Sequence, residues 1–536
     1  MAVPNRFLPN DPRSFARLIL WACGGITCLW ILLLAIQVML RCLFPWDLYV
    51  WAESPFLTDM LKLEQGKPIY GPLADGNSFV YSPGLTYLTY AILKPFGLHL
   101  DIRFCRIVTV VIAVLASLIV GFALRRAVRM IFGESADKKE GSTVTTWLGA
   151  GIALLVIFKN FNADITHPDN LVMFHTAALL WLTLRSLQER SLKWALGTMI
   201  FAAVGVFAKQ TLCVAFLGPA LVFLRFKPWS GKTAWAVAFF GMIVSAIALA
   251  ALWYPEHAKL YTWDVLTRQK LHLTRVYWMS VEFIHADRAL LLVMAIGAAI
   301  YLWRTRDLSG RSYLQVWFAL GIFSVAPGAL AYVKHFGTWN NLIIHQLWLF
   351  LLVWPVLVIW FRRLKTTDSV SDANFTYATG VVLVLFLLAL LPTRFPMGRQ
   401  VYVACQEIQN RVTADITAGK RVLIAHGTMY QLRAGSREIP LDRANTIVDL
   451  GAAGLSDQVG TVTRIKNHYY DRLYLAVEDW YDPAMREAFR KYYQVDTIIP
   501  KPDVSDRIEL GRSLVLIGDC IIMSPRRETA SAPPER

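Results

Sequence analysis

The acids and bases of this chain that could do chemistry sit at the ends of its apolar runs. The stretch DLYVWAESPFLTDMLKLEQGKPIY, directly after the first run, carries Asp47 and Glu53. NFNADITHPDN, residues 160–170, holds Asp164, His167 and Asp169. FAKQT sets Lys209 and Gln210 into otherwise continuous apolar sequence, and YVKHFGTWNN clusters Lys334, His335, Asn340 and Asn341. An ionisable group at membrane depth costs about 2.5–3.5 kcal/mol on insertion scales, so each place is a functional-site hypothesis. The bland alternatives are a solvated acid for Asp47 or Glu53, a helix-start charge behind Pro168 for Asp169, and a snorkelling amine for Lys209.

These residues are positioned by a membrane framework. The chain has 536 residues, is 56% hydrophobic, and has a mean hydropathy of +0.43. Nineteen Trp and twenty Tyr suit aromatic belts at both membrane surfaces. The apolar runs predict eleven spans, at 18–40, 104–124, 144–160, 170–187, 194–208, 210–225, 233–253, 286–303, 313–332, 341–361 and 376–393. Residues 81–96, YSPGLTYLTYAILKPF, form a twelfth apolar run. Bounded by Pro83 and Pro95, this run is too short to cross a core about 30 Å thick and is expected to be an interfacial helix.

The basic residues test that choice. With 81–96 excluded and the N-terminus inside, Arg13, Arg17, Arg125, Arg126, Arg185, Arg190, Arg225, Lys227, Arg304, Arg311, Arg362 and Arg363 all fall on the cytoplasmic side. Counting 81–96 as a span would send all but the first group outward. The net charge of +16 is then a topology signal, and no soluble basic face for nucleic acid is evident. The outer side receives the loop 41–103, the loop 160–169, the junction at Lys209, the basic loop 254–287 with Arg275, the turn at Lys334, and everything after Arg394. The chemistry is therefore expected on the outer face.

The organisation expected is a membrane domain over 1–393, a small α/β domain over 394–523, and a disordered tail over 524–536. In the α/β domain QEIQNRVTADITAG reads as a helix ended by Gly419, and PAMREAFRKYYQ as another. KRVLIAHG, NTIVDLG and VDTIIP read as strands, SLVLIGDCIIM as a strand or hairpin, and His426 as a strand end. Export of this part would let Cys405 and Cys520 form a disulfide.

The order of these features resembles the GT-C superfamily of integral membrane glycosyltransferases. It is similar to the family-39-like branch, to lipid A aminoarabinose transferases and to protein O-mannosyltransferases. The matching residues are Glu53 in AESP, Gly66 to Tyr70 in GKPIY, Tyr81 to Pro83 in YSP, Arg103 or Arg106 in RFCR, Asp169 in HPDN, and Lys209 with Gln210 in AKQT. They span roughly residues 18–350. The early acid here is a single Glu rather than an Asp-Glu pair, which keeps Asp47 as a rival, and YSP lacks the common double proline.

The resemblance implies a GT-C fold and transfer of a sugar, with inversion, from a polyprenyl-phosphate carrier to a hydroxyl of a lipid, glycan or protein acceptor. The acceptor hydroxyl must lose a proton, and Glu53, with Asp47 as rival, is the expected base. Asp169, His167, Tyr70, Tyr81 and Asn340 are expected to bind the acceptor or sugar. Lys209, Lys334, Arg103, Arg106, His335 and Arg275 are the expected phosphate ligands. Some members of the superfamily use Mg or Mn; one Asp and one His without a third ligand do not define a metal site. The expected setting is the bacterial cytoplasmic membrane, as a monomer. A transporter or flippase of a lipid-linked sugar is the alternative, but no internal repeat supports it.

Overall fold

The computed structural model describes residues 12–48, 50–132, 141–159, 163–282, 286–304, 308–334, 339–363, 370–392, 399–425, 427–475, 483–500 and 519–526. Among the described residues each expected span overlaps a helix, or a helix and its adjoining turn, except 313–332, which runs across the two helices Leu308–Ser324 and Ala326–Val333. Four of these, Leu18–Cys42, Ile102–Ile131, Gly231–Trp253 and Ser309–Val333, are long and apolar enough to cross a bilayer unaided. The first helix leaves Leu18, Trp21, Leu29, Leu32 and Ile36 exposed. Such a strip is unstable in water but ordinary against lipid, so this is a multi-pass membrane protein.

Helix packing relies on small residues, as it must where lipid is as apolar as the helix interface. Ile102–Phe132 buries Ala113, Ala116, Ala123 and Ala127 completely and packs along Asp169–Glu189. At one end of this bundle lie two short helices of the first loop, Val50–Glu64 and Gly84–Leu93. Gly84–Leu93 has ten residues, half of what a span needs, and exposes Tyr87, Leu88 and Ile92. Within Val50–Glu64 the residues from Ala52 to Lys62 are all buried, between the bundle and the C-terminal residues.

Gly84 fixes the approach of the two layers. A Cβ there would stand 2.3 Å from the carbonyl oxygen of Phe207, two residues before Lys209. Gly84→Ala is therefore expected to cost about 1–3 kcal/mol, the usual range for overpacking. The check is a lowered apparent unfolding midpoint in detergent.

The C-terminal part opens with the helix Arg399–Thr417, which closes near Gly419 in the left-handed conformation, φ +74°. A four-stranded sheet follows: β1 (Val422–Ile424), β2 (Arg472–Leu475), β3 (Tyr493–Ile499) and β4 (Cys520–Pro525), in the order β1-β2-β4-β3. β1 and β2 are parallel; β4 is antiparallel to both its neighbours.

Three expectations for this part are corrected. NTIVDLG lies in a helix, Ala444–Ala452, because Ile447 and Leu450, three apart, are its buried apolar residues among the described side chains. The strand it was expected to supply is RLYL, β2. Ser524 and Pro525, expected in the tail, belong to β4, where they pair with Gln494 and Tyr493. Cys405 and Cys520 are free thiols buried in one shared core. His426 and residues 527–536 lie outside the described residues.

Candidate functional site

Three breaks between helices converge at the loop-bearing end of the bundle. Asp169 is the first residue of Asp169–Glu189, after Pro168. Lys209 ends the helix Leu192–Ala208 in an extended conformation, φ −160° and ψ 137°, and a short 3-10 turn at Gln210–Leu212 follows. Asn341 lies in the turn Trp339–Leu342. Lys209 Nζ donates to Asp169 Oδ1 at 3.0 Å and to Asn341 Oδ1 at 3.0 Å. His167 Nδ1 stands 2.9 Å from the other Asp169 oxygen. All four side chains are buried.

Tyr81 walls this cluster. Its ring centroid is 5.4 Å from that of His167 and 5.4 Å from Lys209 Nζ, the latter in cation–π range. Tyr70 supports it from behind, its hydroxyl donating to the Tyr81 carbonyl at 2.7 Å. Gln210 ties the YSP segment down, donating to the Val80 carbonyl at 3.0 Å and accepting from the Ser82 amide at 3.3 Å. Two protons of Lys209 are committed to Asp169 and Asn341, which leaves one for an anion.

Glu53 lies next to this cluster, but its oxygens are fully engaged. Oε1 accepts from Arg106 Nε at 2.8 Å and from the Thr166 amide at 3.2 Å. Oε2 accepts from Arg106 Nη2 at 2.7 Å and from the Leu48 amide at 2.6 Å. The remaining donors of Arg106 go to the carbonyls of Arg41, Phe44 and Trp46. Both side chains are 0% exposed. The pair braces the first loop against the 163–169 segment, so Arg106 has no donor left for a phosphate. Arg41, a residue the sequence did not single out, adds a second brace through Asp164 at 2.6 Å.

Asp47 is held more lightly. Oδ1 accepts from Ser54 Oγ at 2.7 Å, and Oδ2 from the Met429 amide at 3.1 Å. Burial, and then the charge of Glu53, push its carboxyl up to about 6, against the lowering pull of Ser54, the Met429 amide and Arg443. That value suits a base working near neutral pH. Neither Ser54 nor Met429 announces itself in the sequence, because both are ordinary residue types made relevant by the fold.

Other expected ligands lie elsewhere. Arg103 forks onto Asp101, with its side chain 42% exposed. Lys334 donates to the Leu266 carbonyl at 2.7 Å, and burial lowers its pKa. Arg275 donates to the Tyr332 carbonyl at 3.4 Å. His335 lies outside the described residues, and of Asn340 only the backbone is described; its neighbour Asn341 meets Lys209. Among the described residues no three His, Cys, Asp or Glu side chains gather as metal ligands. The Lys209 ammonium stands 3.0 Å from Asp169 Oδ1, so that oxygen already has a cationic partner.

The chain is similar over nearly its whole length to solved structures of ArnT from Cupriavidus metallidurans. Against the apo state the identity is 13% and the TM-score 0.51, covering 94% of this chain and 98% of that one. Against the form bound to undecaprenyl phosphate the values are 11%, 0.51, 93% and 98%. Against the apo oligosaccharyltransferase of Archaeoglobus fulgidus they are 12%, 0.48, 88% and 73%. No protein-family model and no curated protein matches the sequence. The ArnT likeness establishes the GT-C fold, at an identity that shows the fold alone.

Proposed function

We propose that this protein transfers a sugar from a polyprenyl-phosphate carrier to a hydroxyl acceptor on the extracytoplasmic face of a bacterial cytoplasmic membrane. It does so as a monomer of eleven spans, with its N-terminus inside and its C-terminal part outside. The observation that carries this reading is Lys209. A lysine buried at a break between membrane helices, aligned by Asp169 and Asn341 and left with one free proton, is suited to a lipid phosphate. The GT-C fold and the aromatic wall of Tyr81 support it.

In this reaction the acceptor oxygen attacks the anomeric carbon while the bond from that carbon to the phosphate oxygen breaks. Asp47 takes the acceptor's proton. The electron pair leaves on the phosphate, where Lys209 offsets the developing charge, and polyprenyl phosphate departs. A single displacement inverts the anomeric centre. Glu53 and Arg106 hold the frame, and Asp169, His167 and Tyr81 shape the sugar site. A lipid-phosphate donor is consistent with the ArnT structure that binds undecaprenyl phosphate.

The test is release of polyprenyl phosphate by purified protein from a radiolabelled bacterial lipid extract containing polyprenyl-phosphate sugars. Lys209→Gln is expected to lower turnover about 10²-fold, the usual effect of deleting one preorganised donor to developing negative charge. Asp169 keeps His167 as a partner in that variant. Movement of the donor across vesicles without any release of polyprenyl phosphate would favour a flippase instead.

A further inference from the structure

Asp47 is sealed. It is 1% exposed, and one wall of its chamber is Gly427–Met429, the N-terminal turn of the buried helix Thr428–Arg433 in the C-terminal part. Met429 N donates to Asp47, and Thr428 N donates at 3.0 Å to Ser54 Oγ, which donates onward to Asp47. Thr428 Oγ1 reaches the Ser54 carbonyl at 3.0 Å and lies 3.2 Å from Thr58 Oγ1. Gly427 has φ +143°, and a Cβ there would stand 2.3 Å from Asp47 Oδ2. The covering layer is therefore main chain, laid directly on the carboxylate.

A base must come within hydrogen-bond reach of the hydroxyl it deprotonates. One wall around Asp47 therefore has to move. The charged and titratable groups that face it are Glu53 and Arg106 on the membrane side, with Arg443, Cys405 and Tyr430 on the other. The membrane-side wall is the Glu53–Arg106 pair, fully buried and tied to three loop carbonyls. Breaking a buried ion pair is far more costly than breaking bonds from backbone amides and hydroxyls. The Gly427–Met429 wall is bonded to Asp47 and Ser54 by the latter kind, with Met429 packed in the neighbouring apolar core.

We propose that the acceptor hydroxyl enters between the helix Val50–Glu64 and the Gly427–Met429 turn, displacing the turn from Asp47 and Ser54. The inference rests on Asp47 being the base. The acceptor takes the place beside Oδ2 that the Met429 amide vacates. The turn thus keeps the resting base closed and makes acceptor binding a condition for exposing it.

Two measurements test this. Hydrogen exchange on the full protein in detergent should show the Thr428 and Met429 amides exchanging at least about tenfold faster than those of Leu423 and Ile424 in β1, the mark of a local opening. Equal protection overturns the proposal. A Thr58→Cys, Thr428→Cys double variant, oxidised to a disulfide, should lose at least about 100-fold of its turnover of the radiolabelled lipid extract and regain it with reductant. Full turnover in the oxidised form overturns the proposal while leaving Asp47 as base. If Asp47→Asn keeps its turnover, the base assignment falls, and the inference falls with it even where the turn opens locally.

Discussion

Glu53→Gln is expected to cost the protein about 3–5 kcal/mol, the price of leaving a buried charge without its partner. The group looks like a free acid in the sequence, yet all four of its partners in the fold are donors: Arg106 through two nitrogens, the Leu48 amide and the Thr166 amide. A glutamine amide must turn its NH2 group toward two of these donors whichever way it flips. Arg106, at 0% exposure, loses its counter-charge at the same time. Domains are typically stable by about 5–15 kcal/mol, so a loss of this size is a large share of the whole. The expected result is a sharply lowered unfolding midpoint in detergent and poor recovery of folded protein. Glu53→Asp should fail as well, since a side chain one methylene shorter cannot reach both Arg106 and the Thr166 amide. A Glu53→Gln protein that melts with the native one would show that the brace is unimportant.

Much of the framework is legible in the sequence because membranes impose few solutions. Long apolar runs must be helical, since no water is present to satisfy a free backbone. Lys209 and Asp169 stand out for a related reason: a charge amid apolar residues needs a partner. That they are each other's partners is hidden, because forty residues of helix and turn separate them and only packing closes the gap. The roles of Glu53 and Asp47 are hidden for another reason. Both are acids in the same loop, and each takes one donor from that loop, Leu48 for Glu53 and Ser54 for Asp47. What separates them is the number of donors aimed at each carboxylate, four at Glu53 and two at Asp47, and beyond the nearby Leu48 and Ser54 those donors come from residues 106, 166 and 429. In the C-terminal part the errors concern short elements. NTIVDLG and RLYL are each only a few residues long, too short for a period of two to be told from a period of 3.6.

Asp47→Asn is expected to do the opposite of Glu53→Gln: keep the fold and abolish turnover. The asparagine amide can present its oxygen to the Met429 amide and its NH2 to Ser54 Oγ, because a hydroxyl accepts as readily as it donates. The linkage points the same way. The folded state raises this carboxyl from an ordinary 3.8 to about 6, chiefly by burial. The folded protein therefore holds the proton more tightly than the unfolded chain, and that contribution is complete below 3.8 and lost as pH rises through 6. At pH 7 the charged form costs the fold about 3 kcal/mol, a cost the neutral amide avoids. Asp47→Asn should thus be at least as stable as the native protein at pH 7, with its advantage shrinking as pH falls from about 6 toward about 4. Turnover, in contrast, should drop by about 10²–10⁴, the usual contribution of a positioned base. In the native protein kcat/KM should fall about tenfold per pH unit below about 6 and level off above it, since the base works only when deprotonated. Ser54→Ala removes a bond that favours the carboxylate, so it should move that acid limb to higher pH. Melting curves and pH–rate profiles on the native protein and these two variants check the whole set, and an Asp47→Asn protein that is stable and still active would remove Asp47 from the mechanism.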